Sequence, residues 1–145
     1  MPLPAHSTDA HRSATHHAPP YHPIAPTHQD PAFLQYTGGP TGLSKGAQLL
    51  HGNIVANLVQ MKAWMSVLNQ PGKECVITAL PLYHIFALSV NCLIFIAIGG
   101  KSVLIPNPRD MPGFVAELKR HDFTAFTGVN TLFNGLMHTP GFDEI

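Results

Sequence analysis

The chain reads as an α/β fold: a mostly parallel sheet flanked by helices, preceded by a leader without regular structure. Three observations predict it. From Glu74 onward, short β-rich apolar runs alternate with longer helical ones, the pattern of a parallel layer. Upstream, a glycine-rich stretch at residues 36–46 separates two short strand-like runs. Composition changes near residue 31, where histidine- and proline-rich sequence gives way to apolar sequence.

Residues 1–30 hold six of the ten histidines, His6, His11, His16, His17, His22 and His28, with many prolines and few aliphatic side chains. Such a segment cannot bury enough surface to offset the entropy of ordering it, so a disordered leader is expected. Loose binding of a transition metal around His16 and His17 is an alternative use, although the spacings match no known cage.

Residues 32–37 carry Phe33, Leu34 and Tyr36 in weak alternation and read as a strand. Residues 47–50 read as a second strand, which makes the glycine-rich stretch a strand-to-strand connection. Asn53 is then the expected N-cap of a helix. Ile54, Leu58, Met61, Met65 and Leu68 recur at steps of four and three and form its apolar face. Its methionines and Trp64 read as core filling. Pro71 and Gly72 stop it.

Residues 74–80 form a buried strand, with a turn at residues 81–84. Residues 86–98 suit a buried helix closed by Gly99 and Gly100. The next strand covers residues 102–105. Asp110 caps a helix with Pro112 in its first turn, continued by Val115, Leu118 and Lys119. Residues 123–127 are the last strand. Asn130 begins, and is expected to cap, a helix that runs through Met137 and ends before Pro140 and Gly141.

At 145 residues the chain is long enough for one domain. Eight basic and eight acidic side chains leave no formal charge, hence no field to recruit nucleic acid. Cys75 and Cys92 fit no metal spacing and sit in apolar runs, which predicts two buried, reduced thiols. The first thirty residues have no apolar core for a secretory signal. The longest apolar run, residues 85–98, is shorter than the roughly 20 residues that span a bilayer. A cytoplasmic location without a transmembrane segment is the expectation.

The chemistry concentrates at residues 36–46, where four glycines, two threonines, a serine and a lysine stand together. Glycine admits left-handed backbone and close approach to a ligand. Successive amide N–H groups can converge on an anion, hydroxyls add donors, and lysine adds a point charge. The stretch reads as a polyphosphate cradle, with a flexible surface turn as the alternative. It is not a Walker A loop, because Ser44 precedes Lys45 and Gly46 follows it. It is not a dinucleotide fingerprint either, because Gly38 and Gly39 are adjacent. In an open α/β sheet, ligands gather beyond the C-terminal strand ends. The turns at His84 and Gly128 are therefore expected to share a crevice with this loop.

The stretch resembles the phosphate loop of acyl-adenylate-forming enzymes, Tyr-Thr-Ser-Gly-Thr-Thr-Gly-x-Pro-Lys-Gly. Tyr36, Thr37, Gly39, Thr41, Gly42, Lys45 and Gly46 match by position. Residues 33–39, Phe-Leu-Gln-Tyr-Thr-Gly-Gly, are most similar to bacterial long-chain fatty-acid–CoA ligases. A second match lies at residues 79–86 and a third at residues 127–133, in the family's order. The resemblance runs from about Asp30 to the end and implies a partial acyl-adenylating (AMP-binding) domain over residues 31–145.

It implies ATP, Mg²⁺ and coenzyme A as cofactor and co-substrates, and a long-chain fatty acid as substrate. Tyr36, Thr37, Gly38, Gly39, Pro40, Thr41, Gly42, Leu43, Ser44, Lys45, Gly46 and Ala47 would line the nucleotide. Thr41 is the best-placed hydroxyl for phosphate, or for reaching Mg²⁺ indirectly. His84 would orient the substrate carboxylate or donate to the adenylate; a purely structural histidine is the alternative. Gly128 and Val129 would line the acyl tunnel, with room made by the missing side chain of Gly128.

Two departures stand out. The family has Thr or Ser where Pro40 stands, and proline lacks both N–H and hydroxyl, so weakened ATP binding is expected. The later motif Tyr-Gly-x-Thr-Glu, the ribose-binding Asp and the lid with the catalytic Lys have no counterpart, so a fragment inactive on its own is expected. Exposed apolar faces, self-association and peripheral attachment to the inner face of a membrane are further expectations. The alternative function is a noncatalytic nucleotide- or acyl-binding module, or a partner of a full-length ligase.

Overall fold

The computed structural model describes residues 23–37, 44–66 and 70–145. Most of the expected leader, loop residues Gly38, Gly39, Pro40, Thr41, Gly42 and Leu43, and Leu68 lie outside the described residues.

Strands β1 (Pro31–Thr37) and β2 (Lys45–Leu50) form an antiparallel hairpin whose last paired residues are Thr37 and Lys45. Helix α1 (His51–Trp64) follows without a break. It begins two residues before the expected cap. The first N–H groups of a helix need partners from outside it. Here His51 donates to the Asp30 carbonyl at 3.0 Å, and Gly52 to the His28 carbonyl at 2.9 Å. A Cβ on Gly52 would stand 2.9 Å from that His28 oxygen, so glycine permits the approach. Asn53 is therefore the third helical residue, and its Oδ1 accepts from Leu50 N–H at 2.9 Å.

The carbonyls come from a turn over residues 27–30. Thr27 N–H donates to the Asp30 carboxylate at 2.6 Å and holds that carboxyl below its ordinary range. The end of the segment expected to lack structure thus braces α1.

Ile54, Leu58, Met61 and Met65 form the half-buried face of α1, as their spacing predicts. No residue of α1 is fully buried. Trp64 does not fill the core: it is 85% exposed.

The layer is a three-stranded parallel sheet in the order β4–β3–β5: β3 (Cys75–Thr78), β4 (Lys101–Leu104) and β5 (Ala125–Thr127). All four β3 residues are buried, and their side chains alternate between two faces. Cys75 and Ile77 pack with Val103, Phe114, Leu118 and Leu136. Val76 packs on the other side with Ile94, Phe95 and Ile98, against which Leu58 and Met61 of α1 lean. Helices therefore cover both faces. Cys75 is buried, whereas Cys92 is only half-buried; both are free.

Helix α2 follows β3 in three consecutive stretches: Ile85–Ala87 (α), Leu88–Leu93 (π) and Ile94–Ala97 (α). Gly99 (φ 70°) closes it. Gly99 N–H donates to Ile96 O and Gly100 N–H to Phe95 O, a Schellman pair. Helix α3 (Met111–Arg120) starts as expected, with Asp110 Oδ1 accepting from Gly113 N–H at 3.1 Å. Helix α4 (Asn130–Met137) is capped by Val129, not Asn130; its first turn is closed by Val129 O accepting from Leu132 and Phe133 N–H. A 3₁₀ turn (Phe142–Glu144) ends the chain.

At the N-terminal end of the sheet, Thr124 Oγ1 accepts from Cys75 N–H at 3.0 Å and donates to Glu74 at 2.5 Å. Gln70 N–H also donates to Glu74, at 2.6 Å. The Gln70 N–H, then the Thr124 hydroxyl, hold the Glu74 carboxyl below its ordinary range.

Candidate functional site

The hairpin pairs Tyr36 with Gly46 and Gln35 with Ala47 across the ladder, which brings both arms of the expected cradle side by side. At its mouth, Thr37 Oγ1 donates to Lys45 O and Ser44 Oγ donates to Thr37 O, both at 3.4 Å. Tyr36, Thr37, Ser44, Lys45, Gly46 and Ala47 are all exposed. The Tyr36 ring lies over Gly46, 3.4 Å from where a Cβ would stand.

The turn after β3 is held by His84 N–H donating to Pro81 O at 3.0 Å. His84 is exposed and caps α2: its Nδ1 accepts from Phe86 N–H at 3.3 Å. A ring nitrogen that accepts carries no proton, so the neutral ring holds its proton on Nε2. His84 thus has a structural duty on one nitrogen and keeps Nε2–H as a donor on the other.

One side chain joins hairpin and turn. Gln35 Nε2 donates to Tyr83 O at 2.8 Å, across 48 positions of sequence. Between them lies a groove of about 410 Å³ walled by Phe33, Leu34, Tyr36, Leu82 and Leu88. The strand ends open onto a second cleft, of about 390 Å³, lined by Pro81 after β3, Arg109 after β4 and Val129 after β5. Val129 is 53% exposed. Gly128 differs from expectation in what fills its space. A Cβ there would meet Leu132 and Phe133 side chains at 3.1 Å, so the absent side chain admits α4 to the strand end.

Among the described residues, the hairpin mouth offers hydroxyl and ammonium donors and no carboxylate, a set that suits phosphate rather than a bare cation. Among the described residues, no group of three metal-ligating side chains comes together. No helix among them is long and apolar enough to cross a membrane. Sequence reasoning missed Gln35 and Arg109. Nothing in local pattern marks the first; the second follows a strand and carries a charge, which is a usable signal.

A model of the AMP-binding enzyme family matches residues 2–144. A long-chain-fatty-acid–CoA ligase of Salmonella typhimurium is 61% identical over 117 residues, covering 81% of this chain and 21% of that protein. The chain thus spans about a fifth of the length of the curated relatives it matches. Among solved structures, ATP-bound MatB from Rhodopseudomonas palustris superposes with a TM-score of 0.69 at 27% identity, over 90% of this chain and 25% of that one. The o-succinylbenzoate CoA synthetase MenE of Bacillus subtilis, in complex with its acyl-adenylate intermediate, gives 0.67 at 27% identity, over 79% and 29%.

Proposed function

This chain belongs to the AMP-binding enzyme family, and we propose that it serves ATP-dependent activation of a long-chain fatty acid to acyl-CoA through an acyl-adenylate. The working boundary for the domain is residues 31–145, with the turn at residues 27–30 as its brace. The fatty-acid carboxylate attacks the α-phosphorus of ATP and pyrophosphate leaves; the thiol of coenzyme A then takes the acyl group and AMP leaves. The substrate is its own nucleophile, so the protein's work is alignment and charge stabilisation.

In this reading Thr37, Ser44 and Lys45, with the glycines and Thr41 of the loop, hold the β- and γ-phosphates. Mg²⁺ would neutralise phosphate charge, and Thr41 would reach it indirectly. His84 directs Nε2–H at the carboxylate or the adenylate. Val129 lines the acyl side. The observation that carries the reading is the Gln35–Tyr83 hydrogen bond, which couples the phosphate hairpin to the His84 turn. Support for the substrate class comes from the 61% identical ligase.

Titration of the purified chain with ATP tests the phosphate role. Lys45→Ala is expected to weaken binding about ten- to a hundredfold, the worth of a charged hydrogen bond. Equal affinities would remove it. Pyrophosphate release on adding ATP and fatty acid separates a catalytic chain from a noncatalytic binding module. Self-association through exposed Leu34, Val59, Trp64, Ile96 and Leu104 belongs to the same proposal.

A further inference from the structure

Asn91 is fully buried, in the middle of the π stretch of α2. Its amide faces the last residues of two strands. The Thr127 hydroxyl stands 2.7 Å from Nδ2 and 2.9 Å from Oδ1. Nδ2 also lies 3.3 Å from Thr78 Oγ1 and 3.4 Å from Ile77 O. Thr78 Oγ1 shares a 2.8 Å hydrogen bond with Ser102 Oγ, which carries the network into β4. Elsewhere this helix–sheet contact is apolar, through Val76, Ile94, Phe95 and Ile98.

A buried amide is costly unless its hydrogen bonds are made, and an apolar side chain could fill such a space. What the amide adds is a fixed geometry. A six-residue π stretch is also rare, and such stretches gather at functional sites. The network sits where the two turns begin. His84 O accepts from Leu88 N–H, the first residue of the π stretch, at 3.0 Å. Thr127 directly precedes Gly128 and Val129.

We propose that Asn91 is a positioning residue: it ties the π stretch to Thr78 and Thr127, and so fixes the spacing between the His84 turn and the Gly128–Val129 turn. What those turns bind rests on the function proposed above; the mechanical coupling does not.

Residue-resolved hydrogen exchange on the whole chain tests it, with Asn91→Leu as the variant. Expected is roughly tenfold faster exchange at the His84 and Leu88 amides together with the Leu132 and Phe133 amides, and unchanged exchange at Phe114 and Leu118 in α3. Thr127→Val, which removes one hydroxyl at constant shape, is expected to do the same to a smaller degree. Four results overturn the proposal: change in one turn only, uniform change across the chain, no change, or failure of both variants to fold, which makes the amide purely structural. A non-hydrolysable long-chain acyl-adenylate analogue supplies the second arm. Its dissociation constant is expected to rise about tenfold in Asn91→Leu. If the unsubstituted chain binds no analogue, the proposed function falls, and the exchange data still decide the positioning role.

Discussion

The hairpin with α1 and the parallel layer are held by different forces. In the layer, all of β3 is buried and both faces are covered by packed helices. In the hairpin and α1, no described residue is fully buried; that part rests on backbone ladder bonds, the brace at residues 27–30, the half-buried face of α1 and the Gln35–Tyr83 tether. The difference is instructive. Groups that must close around a ligand are drawn from the weakly held end of a structure, and groups that must stay put from the strongly held end. The residues proposed to cradle phosphate occupy the first region, His84 and Val129 the rim of the second.

The comparison breaks first in the layer. Phe114→Ala is expected to cost about 3–5 kcal/mol, enough to unfold much of the population in chemical denaturation, while Leu58→Ala in α1 costs about 1 kcal/mol. Similar losses at the two sites would erase the distinction. Gln35→Ala sharpens it: about 1 kcal/mol is expected, read as faster hydrogen exchange in β1 and β2 with β3 unchanged. Pro40→Thr restores an N–H and a hydroxyl, and a several-fold gain in ATP affinity at constant stability is expected by calorimetric titration.

The smallest effect is acid sensitivity at the N-terminal end of the layer. The Glu74 carboxyl is depressed in the folded chain by Gln70 N–H and the Thr124 hydroxyl. Its contribution is present above the ordinary glutamate value of about 4.3 and is lost as pH falls through the lower folded value. Glu74→Gln should flatten that limb of a stability–pH curve. An unchanged limb would mean the clamp contributes nothing.

The layer was legible because each element carries its own local signal. Residues 75–78 are β-rich and apolar, Asp110 and Pro112 announce α3, and Gly99 supplies the left-handed residue that closes α2. What escaped depends on backbone partners and helical phase that residue type does not show. Asn53 was misplaced because α1 takes its first acceptors from His28 and Asp30, more than twenty residues upstream. Asn130 was misread as a cap because Val129 closes that turn with its carbonyl. The π stretch is hidden because residues 85–98 are apolar nearly all round, which erases helical phase. The hairpin and the two turns were legible from residue type, but the Gln35 link between the hairpin and the His84 turn was not.

The carbonyls lent to α1 by His28 and Asp30 set a floor for shortening the chain from its beginning. Cutting past Thr27 would strip the carboxylate clamp and then the two acceptors. The helix would fray toward Ile54, and β2 would lose its anchored end at Leu50. A defect made fewer than twenty residues away would thus arrive at Lys45 as a loosened strand.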